Sequence, residues 1–145
     1  MNICMDIFSA ARSGDVKKMT ELIEAGIDIN IKNESGYSAL MLAAYNGQFS
    51  TTQFLIDHGA DVNSVDESSN SILMGVVFKG HSSIFEILVT AGARLDYENK
   101  KKQTALDLAV MFGRRNLIFR INQLQNLNRS DGKIEQIKTW VQQII

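Results

Sequence analysis

The sequence predicts an all-α solenoid of about four helical hairpins, and three regularities predict it. Gly14, Gly47, Gly80 and Gly113 stand 33 residues apart, and Gly26, Gly59 and Gly92 keep that spacing twelve residues downstream. Aligned on these glycines, the segments superimpose from Asp6 to about Asn122 without insertion or deletion. Each segment carries two short runs with apolar residues at helical spacing, separated by the first glycine and closed by the second. A unit of this size cannot bury its apolar face alone, so such repeats are stable only when stacked.

The first unit, about 1–32, is abbreviated: Asp6-Ile7-Phe8-Ser9-Ala10-Ala11 leads through Gly14 to Leu22-Ile23 and Gly26, as expected of an end. The second, about 33–65, is the clearest. Ser38 sits where a hydroxyl can cap a helix, and Leu40, Ala43 and Ala44 follow on one face, the alanines small enough for a neighbouring repeat to approach. Gly47 ends this inner helix, and Thr52, Leu55 and Ile56 mark an outer helix stopped by Gly59. Between Gly59 and the next cap, Ser71, lie Asp61, Asn63, Asp66, Ser68 and Asn70, a turn-rich finger. The third unit, about 66–98, repeats this from Ser71 through Gly80-His81 to Gly92-Ala93, and the fourth, about 99–127, starts at Thr104 and passes Gly113. After Asn122 the pattern fails. A helix is expected through Leu124 and Leu127, then a break at Asn128 to Gly132. Ile134, Ile137, Trp140, Val141 and Ile144 then form an amphipathic helix, 131–145, expected to fold back over the last repeat. Binding a partner is the alternative use of that helix.

These residues resemble the ankyrin repeat, with its Thr-Pro-Leu-His-x-Ala-Ala helix start, mid-repeat Gly-His, paired leucines and closing Gly-Ala-Asp-Val-Asn, here Gly59 to Asn63. The chain has no proline: Ala39, Ile72 and Ala105 stand in its place, and Met41, Met74 and Asp107 replace the usual histidine. The stretches Leu73 to Gly80 and Ala109 to Arg114 are similar to small single-module bacterial members. The resemblance implies a non-enzymatic protein that holds another protein in a concave groove. Such members serve as inhibitors or immunity proteins, adaptors, catalase-associated accessories or host-directed effectors.

Composition narrows the function further. The 145 residues are 45% hydrophobic and 21% charged, which suits one folded array. Basic and acidic side chains, 15 and 16, nearly cancel, so neither nucleic acid nor a membrane surface is an expected partner. No run reaches the roughly 18–20 apolar residues of a membrane-spanning helix. The segment Met1 to Asp6 lacks a cationic region, so no signal peptide is expected. The single cysteine, Cys4, excludes an internal disulfide and fits a cytoplasmic location. No nucleophile, base and orienting group recur together, and His58 and His81 fall on positions the repeat explains. No catalytic residue, metal or cofactor is expected, and the free chain is expected to be a monomer. Haem handling is the rival reading, motivated by six methionines and two histidines.

The candidate site is a row. Arg12, Tyr45, Phe78 and Met111 stand two residues before each mid-repeat glycine, with Phe112 beside the last. By resemblance this end of the inner helix lines the groove. The expected partner-binding set is Tyr45, Phe78, Met111 and Phe112 as apolar anchors, with Asn46 and Lys79 beside them and Tyr37, Asn70 and Gln103 on the fingers. Lys100, Lys101 and Lys102 are expected to act as electrostatic guides, opposite in charge to Glu34, Asp66 and Glu67 on earlier fingers. The alternatives are packing of the aromatic row between inner helices, self-association through it, and a merely solvated charged surface.

Overall fold

In a computed structural model, the backbone is described for residues 3–144, and the side chains for residues 6–128 and 138–143. The elements are α1 (Ile3–Ser13), α2 (Val16–Glu24), α3 (Ala39–Tyr45), α4 (Phe49–Asp57), α5 (Ile72–Lys79), α6 (Ser82–Thr90), α7 (Ala105–Met111) and α8 (Arg115–Ile144). Odd-numbered helices pack in sequence as an inner row, α1 on α3, α3 on α5, α5 on α7, and each carries its hairpin partner outside.

The inner helices begin as the sequence implies. The Ser38, Ser71 and Thr104 hydroxyls accept the Met41, Met74 and Asp107 backbone N–H groups at 3.2, 3.2 and 3.3 Å. Asp107 completes a full capping box, its carboxylate accepting the Thr104 N–H at 2.8 Å. The stack is then built from positions that recur every 33 residues. Ala11, Ala44 and Val77 are fully buried between inner helices, and Leu22, Leu55, Leu88 and Ile121 recur in the outer row at 5% exposure or less. The fourth outer helix therefore stays in register through Ile121, although no Gly-Ala pair closes it.

A second ladder joins the repeats by hydrogen bonds. Gln48 Nε2 donates to the Arg12 carbonyl at 2.9 Å, His81 Nε2 lies 3.2 Å from the Tyr45 carbonyl, and an Arg114 guanidinium N–H reaches the Phe78 carbonyl at 2.5 Å. The residue after each mid-repeat glycine thus closes the end of the preceding inner helix, satisfying a carbonyl that lacks an intrahelical partner. His81 is accounted for by this role. His58 stacks on Phe54 at 4.0 Å, with Nδ1 2.7 Å from the Phe54 carbonyl.

The fingers are tight turns over 33–36, 66–69 and 99–102, each closed by a backbone bond of 2.9 Å to the carbonyl of its first residue. That first residue, Asn33, Asp66 or Asn99, also accepts backbone N–H groups of the same finger through its side chain. The fourth position is left-handed in all three, with φ of 79°, 63° and 62°, but only Gly36 is a glycine; Ser69 and Lys102 hold the same conformation with a side chain.

The C-terminal segment differs from expectation. Helix α8 runs unbroken from Arg115 to Ile144, through the stretch Asn128 to Gly132 where a break was predicted. None of those residues is proline, so no backbone donor is lost, and one interior glycine costs only about 1 kcal/mol. Among the described side chains of the expected cap, Trp140 and Val141 are exposed, at 63% and 41%. Val110, which occupies the position of the sealed Ala44 and Val77, is 60% exposed. Cys4, Ile134, Ile137, Ile144 and Ile145 lie outside the described side chains. Helix α8 is fastened to the stack near its start, where Arg120 forks onto the Glu86 carboxylate of α6 at 2.7 and 3.2 Å.

Candidate functional site

The inner helices α3, α5 and α7 and the two later fingers surround a cavity of about 560 Å³. One side chain of the repeat is missing from its wall. Leu42 and Leu108 fill equivalent positions of α3 and α7 at 6% and 9% exposure, whereas the intervening repeat has Gly75. A β-carbon there would stand 2.1 Å from Tyr45 Cε1 and 2.4 Å from Cζ. The Tyr45 ring has entered the vacated space and lies on the α5 backbone, a close approach that only glycine permits.

Tyr45 is consequently not the free anchor that the row of positions suggested. It is half-buried, and its ring meets Tyr37 edge-on at 6.2 Å and 86°. Its hydroxyl is sealed and has no hydrogen-bond partner among the described residues. Burial, with smaller contributions from the charge of Asp66 and from Tyr37, raises the Tyr45 hydroxyl well above the ordinary tyrosine pKa. For Tyr45 the packing alternative is the better description: it forms the floor.

Phe78 and Phe112 behave differently. Their rings meet edge to face at 4.7 Å and 78°, yet remain 46% and 42% exposed, and Met111 beside them is 58% exposed. Phe78 stands on α5 and Phe112 is the C-cap of α7, so the two rings pack across adjacent inner helices. Lys79 lies with Nζ 5.8 Å from the Phe78 ring centroid.

Of the expected set, the cavity brings together Tyr37, Tyr45, Asn70, Phe78, Lys79, Lys101, Gln103, Met111 and Phe112. Three fall outside its lining. Asn46 turns back to donate to the Leu42 carbonyl at 2.7 Å, finishing α3. Lys100 and Lys102 are exposed on the finger, where the Lys100 N–H reaches Ser69 Oγ at 2.8 Å. Asn70 and Gln103 are partly committed: Asn99 Nδ2 donates to the side-chain oxygens of both at 3.0 Å. Sequence reasoning missed Met74, Gly75, Leu108, Asp66, Ser68 and Asn99, all of which line the cavity. The Leu42–Gly75–Leu108 irregularity was the available signal.

Among the described residues no group of His, Cys, Asp or Glu is arranged to hold a metal, and no helix is long and apolar enough to cross a membrane. Helical hairpins stacked at a 33-residue period, with fingers beside an open apolar cavity, define a helical repeat scaffold. A family model described as ankyrin repeats, in three copies, matches residues 7–99, and the chain belongs to the ankyrin-repeat family. A segment of 45 residues is 38% identical to a protein of Pseudomonas aeruginosa described as an ankyrin repeat protein. That match covers 31% of this chain and spans about a quarter of the relative, 26% of its length. Ankyrin repeats generally mediate protein–protein interaction and form a non-catalytic module.

Proposed function

We propose that the chain holds a partner protein in the concave groove floored by α3, α5 and α7, with Phe78, Met111 and Phe112 as its apolar anchors. The observation that carries this reading is the Phe78–Phe112 pair, packed in mutual contact while nearly half of each ring stays in water. Covering the exposed half of each ring is worth roughly 1 kcal/mol or more, and an aromatic already in contact loses less side-chain entropy on binding. The haem reading gains no support: Met19, Met41 and Met74 are buried in the core, and each histidine lies against a backbone carbonyl.

The test is affinity capture from the native cytosol with the wild-type chain and with the Phe78→Ala/Phe112→Ala variant. Circular dichroism confirms that the variant is folded, as exposed rings allow. The expected result is a bound protein retained by the wild type and lost by the variant. Equal retention by a folded variant refutes the groove as the binding surface. Inhibitor, immunity, adaptor, accessory and effector roles share this one grip. They are separated by assaying the captured partner's own activity with and without the chain.

A further inference from the structure

Resting on the groove reading above, we infer that the occupant is an acidic segment of the partner protein bearing one bulky apolar residue. That residue seats in the cavity lined by Met74, Phe78, Leu108 and Met111, and neighbouring carboxylates face Lys79 and Lys101. The cavity wall departs from the repeat at one position, with Gly75 where Leu42 and Leu108 stand in the flanking repeats and the Tyr45 ring against it. A glycine inside a helix lowers stability, and here it admits the Tyr45 ring, which lines the cavity together with Met74, Phe78 and Leu108. At about 560 Å³ the cavity lies within the roughly 300–1,000 Å³ of pre-formed ligand sites.

Charge selects among apolar segments. Lys79 and Lys101 line the cavity, and neither is paired with a carboxylate among the described residues. Lys100 and Lys102 add to the same finger. Asp66 is the acidic side chain of the lining, and its Oδ1 already accepts the Asn70 N–H at 3.0 Å. The lining therefore carries two lysines against one carboxylate, and its excess charge is positive. A basic segment meets two lysines in the cavity lining, whereas an acidic one neutralises them. This gives the groove a directional preference: carboxylates toward the Lys100 to Lys102 finger, and the opposite flank toward Asp66 and Glu67.

The probes are three labelled synthetic peptides with one central tryptophan, flanked by glutamates, glutamines or lysines, followed by fluorescence anisotropy and by amide shifts of the ¹⁵N-labelled chain. The glutamate peptide is expected to bind about tenfold more tightly than the glutamine peptide at low salt, with the lysine peptide weakest. The difference should shrink to about twofold near 0.5 M salt, because both lysines are exposed and screened. The Gly75 and Phe78 amides should move, and replacing the peptide's tryptophan by alanine should abolish binding. K79E/K101E changes only exposed side chains and should invert the order of the peptides.

An order that ignores charge, an order unchanged in K79E/K101E, or amide shifts remote from Gly75 overturns the inference. Capture of a natural partner that depends on Phe78 and Phe112, with no discrimination among the peptides, leaves the groove reading standing and removes the acidic occupant. Capture that is indifferent to those rings removes both.

Discussion

Gly75→Ala decides whether the glycine is a packing requirement or a tolerated weakness. Helix propensity alone favours alanine in the interior of α5 by about 1 kcal/mol. Packing opposes it, because the new β-carbon would stand 2.1, 2.4 and 2.8 Å from Tyr45 Cε1, Cζ and Oη. All three separations are too short for non-bonded atoms, so the Tyr45 ring must leave its seat against Tyr37 and the α5 backbone. Overpacking of this kind costs about 1–3 kcal/mol. The sum is an expected loss of up to about 2 kcal/mol, with the propensity gain cancelled or outweighed. In the Tyr45→Ala background the obstacle is gone, and the same substitution should stabilise by about 1 kcal/mol. Urea unfolding followed by far-ultraviolet circular dichroism gives all four corners of the cycle, with a coupling of about 1–3 kcal/mol expected. An increase in stability of about 1 kcal/mol for Gly75→Ala in the otherwise wild-type chain would refute the reasoning. It would show that the tyrosine gives way freely and that its close approach to Gly75 is not a built feature.

Lys102→Gly should raise stability by about 0.5–1 kcal/mol, since φ of 62° burdens a side chain more than glycine's added freedom in the unfolded chain costs; a drop in the urea midpoint would contradict this. His81→Ala should cost about 1–2 kcal/mol by leaving the Tyr45 carbonyl without its partner. His81→Gln should lose less than half as much, because Gln48 makes the equivalent bond one repeat earlier. The folded chain holds the Tyr45 proton to higher pH than the unfolded chain, whose tyrosines ionise near 10. The unfolded state therefore binds fewer protons above that pH, and stability should fall by up to about 1.4 kcal/mol per pH unit as pH rises past about 10, with no contribution from this group below it. Urea midpoints between pH 9 and 11 should show the fall in the wild type and much less of it in Tyr45→Phe.

The repeat was legible because stacking imposes the same physical demands every 33 residues, and those demands select residue types strongly. A hydroxyl at the helix start, small residues between inner helices and glycine at φ of 65–79° after the inner helix each leave a local trace, as Ser38, Ala44 and Gly47 show. Residues that answer to a neighbour across the interface leave a weaker one. Tyr45 and Phe78 are indistinguishable by register, yet one is pressed onto a glycine of the next helix and the other faces water. Asn46 and Lys79 likewise follow groove residues in sequence, but Asn46 bonds back to its own helix.

By itself the sequence determined the period, the hairpins, the caps and the side of the stack on which large apolar residues gather, because each depends on residue type and spacing along one chain. Only the tertiary structure decided which of those residues remain exposed, that the Tyr45 ring takes the space of the missing leucine at Gly75, and that α8 continues past Gly132 and leaves Val110 uncovered. These are matters of what sits opposite a side chain. A helix of one repeat contains no record of how far the ring of its neighbour reaches.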